Sequence, residues 1–141
     1  MAALSFAGIP DGSLVLVDTA PIIYVLENHP KLASRFRPLF ERHAAGEIVL
    51  AVTTVTIAEV LTGPLASGDE GVAKRYRGIL ETWTVVDLTV DIAETAARLR
   101  ATLKLRLPDA IQAASALDVK ADAFVTHDRD FARFSALPVL S

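Results

Sequence analysis

The stretch SLVLVDTAPIIYVLENHP, residues 13–30, gives the first indication of the fold. Its apolar run, Leu14 to Val17, is typical of a strand that is covered on both faces. The run ends on a single carboxylate, Asp18, and Pro21 then fits the first turn of a helix. A carboxylate at such a junction either caps the helix or holds a ligand, and one aspartate does not distinguish the two roles.

Apolar runs and helical patterns alternate along the rest of the chain. Further strands are expected at 47–53, 84–88, 123–126 and 137–140. Further helices are expected at 35–45, 56–61, 70–81, 91–105 and 108–117, with Gly63 and Pro64 ending the second of these. This alternation predicts an α/β three-layer sandwich around a central, mostly parallel sheet of about five strands. We expect one domain over residues 1–141, with residues 1–12 as a loose lead-in.

Composition restricts the class of protein. With 52% hydrophobic and 22% charged residues the chain reads as soluble and globular, and the absence of cysteine excludes disulfides and thiolate metal sites. No signal peptide and no membrane-spanning stretch is visible, so a cytoplasmic location is expected. The net charge of −3 does not indicate nucleic-acid binding, which would need local basic patches.

Acidic residues recur at the strand–helix junctions. Asp18 follows the first predicted strand, Glu59 lies in the helix after the second, and Asp109 begins the helix before the fourth. Asp128 and Asp130 follow that fourth strand. Ligands of open parallel sheets bind beyond the carboxyl ends of the strands, where we expect these acids to gather.

Gathered carboxylates need a cation. The repulsion between two negative unit charges about 4 Å apart is about 4 kcal/mol at an effective dielectric constant of about 20. Oxygen ligands without a histidine or cysteine pattern favour Mg²⁺ or Mn²⁺. Each acid also has a structural explanation: Asp18 and Asp128 as helix caps, Thr56 with Glu59 as a capping box, and Asp109 in a helix first turn.

Three stretches together resemble the PIN-domain ribonucleases, and in particular the VapC-type toxins of VapBC toxin–antitoxin pairs. They are LVDTAPIIYVLENHP, TTVTIAEVL and LPDAIQAASALDVKADAFVTHDRDF. The resemblance covers about residues 14–140, and the third stretch is its most specific part.

The resemblance implies Mg²⁺-dependent hydrolysis of RNA, with Mn²⁺ as a possible substitute. Asp18 and Asp109 would ligate the metal, while Glu59 and Asp128 would complete the catalytic set, with either Asp128 or Asp130 as the fourth acid. Thr126 and Thr53 would support the acids or the scissile phosphate. Implied partners are a cognate antitoxin, an RNA substrate and a second copy of the chain, without a membrane.

Four basic residues are candidates for contacting RNA phosphates: Arg98, Arg100, Lys104 and Arg106. At helical spacing they do not share one face, so part of the set is expected to be ordinary solvated surface. His127 is expected to be a loop residue, although imidazole is a common general acid or base, which leaves proton transfer open.

Two other functions remain open at this point. An aspartate-nucleophile phosphatase or phospho-acceptor domain would use Asp18, although Ala20 replaces the second aspartate that such phosphatases carry. A PIN-like scaffold that only binds a partner would have no need for the acids.

Overall fold

The computed structural model describes residues 6–141, which form a parallel sheet flanked by helices. In these residues the sheet has five strands in the order β3-β2-β1-β4-β5, and every neighbouring pair is parallel. The strands are β1 (Leu14–Val17), β2 (Val49–Thr53), β3 (Thr84–Val86), β4 (Ala123–Val125) and β5 (Val139–Leu140). The predicted α/β fold with about five mostly parallel strands is confirmed.

Helices cover both faces of this sheet. They are α1 (Thr19–Leu26), α2 (Ala33–Ala44), α3 (Thr54–Ala66), α4 (Glu70–Glu81), α5 (Val90–Leu103) and α6 (Leu107–Asp118). Val15 and Val17 belong to the core with α1 to α4, whereas Leu16 belongs to the core with α5 and α6. Successive side chains of a strand point to opposite faces, so a continuous apolar strand supplies both cores.

The segment before β1 is packed onto the fold over the part that the structure describes. Phe6 and Ile9 are buried, and the Arg42 guanidinium donates hydrogen bonds to both of their carbonyl oxygens. Residues 6–12 therefore differ from a loose lead-in, while residues 1–5 of that prediction lie outside the described part of the chain.

The boundaries of α3 differ from the prediction at both ends. The helix continues through Gly63 and Pro64, because Pro64 lies in its last turns, where one lost backbone hydrogen bond is offset by burial of the ring. The capping box considered for Thr56 and Glu59 as an alternative does not form. Thr53 is the N-cap, and its hydroxyl accepts the Thr56 N–H.

The turn between α5 and α6 directs the chain back onto the sheet. Lys104 adopts a left-handed conformation with φ of 57° and ends α5, and Arg106 then precedes the first turn of α6.

Among residues 6–141, no helix has the length and apolar character that a membrane span requires.

Candidate metal centre and active site

The carboxyl ends of β1 and β4 meet where the strand order reverses. Strands β2 and β3 lie on one side of β1, and β4 and β5 lie on the other. The Asp18 N–H donates to the Val125 carbonyl at 2.8 Å, so the two strand ends are joined directly. Asp18 follows β1 and Asp128 lies three residues after β4, which places both acids at the usual ligand position of an open parallel sheet.

Asp18 is held by three donors. Its Oδ1 accepts the Thr19 N–H and the Gln112 Nε2, each at 2.9 Å, and its Oδ2 accepts the Thr126 hydroxyl at 2.8 Å. A carboxylate offers about four acceptor positions, so about one remains for a ligand. Asp18 therefore caps α1, while its side chain also lines a cavity together with Asp109 and Asp128.

Asp109 lies in the first turn of α6 and is 7% exposed. Burial is the main cause that raises its carboxyl pKa; the nearby charges of Asp128 and Asp18 raise this pKa further, and Arg106 opposes the shift. Ligand oxygens of Asp109, Asp128 and Asp130 all lie within 4.8 Å of one another. Three carboxylates that converge so closely favour a cation between them.

Arg106 compensates only part of this charge. Its Nε lies 3.4 Å from Asp109 Oδ2, and its Nη2 lies 3.9 Å from Asp128 Oδ2. Both distances exceed the 2.7–2.9 Å of strong charge-assisted hydrogen bonds. The Arg106 side chain is 75% exposed, so water weakens the interaction further.

Glu59 approaches the site from α3 through a neighbouring hydroxyl. Thr19, at the start of α1, donates its hydroxyl to Glu59 Oε1 at 2.8 Å and lies 2.8 Å from the Thr56 hydroxyl. Glu59 is exposed, so one of its oxygens is engaged by the protein while the side chain remains open to solvent.

These side chains line one open cavity of about 750 Å³. Its walls carry the acids Asp18, Glu59, Asp109 and Asp128 and the cations Arg106 and Arg129. His127 also lines it, and its Nδ1 lies 3.0 Å from the Tyr24 hydroxyl. The Tyr24 contact restrains the imidazole at the edge of the cavity.

The donor set fits a hard divalent cation. All candidate ligand atoms are carboxylate oxygens, and the buried Asp109 has a raised pKa that a bound cation would lower. Oxygen donors of this kind suit Mg²⁺ or Mn²⁺ better than softer metals.

The PIN domain family profile matches residues 15–137, which include every acid of this cavity. The chain belongs to the PIN domain family. Its α/β fold and the placement of acids at one sheet edge agree with the resemblance drawn from the sequence. A search of functionally curated proteins returned no significant match.

Several solved structures share the fold of this PIN domain. A toxin–antitoxin complex from Klebsiella pneumoniae is 27% identical with a TM-score of 0.71, over 90% of this chain and 96% of that one. VapBC-1 from nontypeable Haemophilus influenzae is 23% identical with a TM-score of 0.72, over 91% and 97% of the two chains. Mycobacterium tuberculosis VapC20, described as a sarcin-ricin loop cleaving toxin, is 18% identical with a TM-score of 0.71, over 90% and 99%.

Most of the acids and hydroxyl residues proposed from the sequence lie at or beside this cavity of the PIN domain. Asp18, Glu59, Asp109 and Asp128 share the cavity, Asp130 clusters with Asp109 and Asp128, and Thr126 contacts Asp18. Within residues 6–141, the Thr53 hydroxyl hydrogen-bonds to Gln112 and to the Thr56 N–H but to no acid.

The four basic candidates lie in different parts of the structure. Arg106 lines the acidic cavity, whereas Arg100 and Lys104 line a different cavity along α5. Arg98 pairs with Glu94 on the exposed face of α5, with an N–O distance of 3.8 Å. Only Arg106 of the four therefore lies beside the acids.

Sequence reasoning missed Gln112 and Thr19. Gln112 lies three residues after Asp109, a spacing that places both on one helix face, and this spacing was the available signal. Thr19 directly follows Asp18, but nothing in the local pattern indicates that its hydroxyl reaches Glu59.

Proposed function

We propose that this PIN domain is a metal-dependent endoribonuclease. The observation that carries the proposal is the buried Asp109 carboxyl, which converges with Asp128 and Asp130 beside Asp18 at the carboxyl edge of a parallel sheet. Such an arrangement suits binding of Mg²⁺, or of Mn²⁺ in its place, next to a phosphodiester.

Each residue has a distinct role in this proposal. Asp18, Asp109 and Asp128 would hold the metal, with Asp130 and Glu59 completing the acidic set. When bound, the metal would supply an acidified water and stabilise the charge that develops on the phosphate. Arg106 and Arg129 border the same cavity and would hold the substrate phosphates. In-line hydrolysis would leave a 5′-phosphate and a 3′-hydroxyl.

The biological role that we propose is the toxin of a toxin–antitoxin pair acting in the cytoplasm. The 27% identical Klebsiella structure is a toxin–antitoxin complex, and it is matched over nearly the full length of both chains. VapC20, a sarcin-ricin loop cleaving toxin, is 18% identical, so its likeness supports the fold alone. We accordingly propose a cognate antitoxin and a second copy of this chain as partners, with no membrane contact.

The first test is metal-dependent cleavage of RNA by the purified protein. We expect Mg²⁺ or Mn²⁺ to activate cleavage of a structured RNA with exposed loops and EDTA to abolish it. Asp18→Asn should lose cleavage while its melting curve stays cooperative. Cleavage that continues in EDTA, or in the folded variant, would contradict the proposal.

The two other functions are tested on the same protein. Covalent labelling of Asp18 by acetyl phosphate would favour a phospho-acceptor, although three protein donors already engage that carboxylate. Absence of Mg²⁺ binding in calorimetry at millimolar metal would favour a non-catalytic scaffold.

A further inference from the structure

Gln112 lies at the centre of a buried polar network that joins three parts of the fold. It is 2% exposed and lies on α6, three residues after Asp109. Its carboxamide contacts Asp18 after β1, Thr53 at the end of β2 and Thr56 in α3. These contacts are 2.6–2.9 Å long, and in the described residues no buried side-chain nitrogen or oxygen lacks a partner.

The chemistry of the partners fixes the orientation of this carboxamide. An ionised carboxylate only accepts hydrogen bonds, so the Gln112 Nε2 must face Asp18. The second Nε2 proton then goes to the Thr56 hydroxyl oxygen, 2.8 Å away. The Gln112 Oε1 is left to accept the Thr53 hydroxyl at 2.6 Å.

The same reasoning sets the direction of the hydroxyl groups that lead to Glu59. Thr56 accepts from Gln112, and its own proton is free to point to the Thr19 oxygen. Thr19 donates onward to Glu59 Oε1. The network therefore runs in one direction, from Thr53 through Gln112, Thr56 and Thr19 to the Glu59 carboxylate.

We propose that Gln112 is the positioning residue of this site, holding the Asp18 carboxylate directly and the Glu59 carboxylate through Thr56 and Thr19. Because it is buried and fully hydrogen-bonded, its carboxamide has one arrangement. It thereby fixes two acids that are 41 residues apart in the sequence relative to Asp109 on the same helix. This inference rests on the proposed nuclease function of the cavity.

The main test compares Gln112→Leu with Ser115→Ala. Leu removes both donors at nearly constant volume. Ser115 is also buried on α6, but its hydroxyl donates only within the helix, to the Ile111 carbonyl, which makes it the matched control. Loss of a residue that orients metal ligands costs about 10- to 100-fold in affinity or activity. We expect Gln112→Leu to weaken Mn²⁺ affinity in calorimetry and to lower kcat for RNA within that range, with a smaller effect on KM.

A second pair of variants covers the case in which Gln112→Leu does not fold. Thr56→Val removes the hydroxyl that connects Gln112 with Thr19, while Thr56→Ser keeps it. We expect a lower kcat in the valine variant and recovery in the serine variant. Both rates are measured well below the melting transition of each variant, where a change in stability alone leaves kcat unaltered.

The outcomes separate this inference from the nuclease proposal. If the wild type cleaves RNA but Gln112→Leu matches Ser115→Ala in Mn²⁺ affinity and kcat, Gln112 has no positioning role. If Gln112→Leu does not fold, the Thr56 variants decide instead. Equal kcat values in Thr56→Val and Thr56→Ser would then overturn the inference. If the wild type cleaves no RNA, the nuclease proposal fails, and Mn²⁺ affinity alone decides whether Gln112 positions Asp18.

Discussion

Among residues 6–141, Arg42 and Arg106 each lie beside a pair of acids, and the surroundings of the two arginines differ. Arg42 forms ion pairs with Asp11 and Glu47 and also donates to the carbonyl oxygens of Phe6 and Ile9. Its hydrogen bond to Glu47 is the largest cause of its raised pKa, in opposition to burial. Here the guanidinium and its acids satisfy one another, and the cluster secures the segment before β1 to α2.

Arg106 lies at longer distances from Asp109 and Asp128, and its side chain is largely exposed. The acids beside it outnumber it, because Asp18 and Glu59 share the cavity. The two acids beside Arg42 are open to solvent and lie within 2.8 Å of the guanidinium, whereas the converging acids beside Arg106 lie farther from it and are under-compensated. We propose that this difference separates acids that only stabilise structure from acids that bind a cation from solution. The predictions below test this difference.

The largest expected effect follows from removing the buried acid. Asp109→Asn should reduce metal-dependent RNA cleavage about 10³-fold or more, since a ligated metal contributes several kcal/mol of transition-state stabilisation. Asp118→Asn, at the exposed far end of the same helix, is the control and should retain activity. Cleavage assays with purified variants measure both. Equal activity of the two variants would contradict the assignment of Asp109.

Removing Arg106 should have a smaller effect, and it should change the affinities for Mn²⁺ and for RNA in opposite directions. Arg106→Ala should tighten Mn²⁺ binding, because it removes a competing positive charge from Asp109 and Asp128. It should weaken RNA binding and lower the slope of log K against log salt by about 0.7, the value for one contact with a single-stranded phosphate. Calorimetry and salt-dependent filter binding give both results. Arg98→Ala, on the exposed face of α5, serves as the control. Equal changes in Mn²⁺ affinity and in the salt dependence of RNA binding in both variants would show that Arg106 has no specific role.

The Arg42 cluster should affect stability and not catalysis. Arg42→Ala should lower the melting temperature, because the carbonyl oxygens of Phe6 and Ile9 lose a charged donor. The cleavage rate below the melting transition should match the wild type. A large loss of kcat in the folded Arg42→Ala protein would show that the two clusters are not separate.

The smallest expected effect concerns pH. Burial and the charges of Asp128 and Asp18 raise the folded-state pKa of Asp109 above its ordinary 3.8, so its ionisation disfavours the folded state. This unfavourable contribution is full above the folded-state pKa and disappears below 3.8, where both states are protonated. In EDTA, Asp109→Asn should therefore melt at a higher temperature than the wild type at neutral pH. The difference should shrink as pH falls through the folded-state pKa, and a difference that does not change with pH would contradict this cause.

The sequence predicted the architecture well because the central strands β1, β2 and β4 are buried on both faces. The apolar run Leu14–Val17 and the small-residue helix after Asp109 leave few alternatives to a covered parallel sheet. Helix boundaries were less predictable. Gly63 and Pro64 are strong local stop signals, yet burial of Pro64 allows α3 to continue.

The gathering of the acids was also predictable, since Asp18, Asp109 and Asp128 lie at strand and helix ends that meet at one edge of the sheet. The contacts among them were not. The role of Gln112 depends on three elements that converge only in the folded chain, and the separation of Arg106 from Arg98 depends on the left-handed turn at Lys104. Local patterns specify residue types at junctions, whereas tertiary packing decides which hydroxyl or amide faces which carboxylate.

We propose that the under-compensated acids bind a divalent cation. Anomalous diffraction from crystals soaked in Mn²⁺ measures this binding directly. We expect an anomalous peak within bonding distance of Asp109 and Asp128 carboxylate oxygens, with Asp18 facing it. A fully exchanged crystal without a peak in this cavity, or with its strongest peak beside Asp11 and Glu47, would show that these acids do not form the metal site.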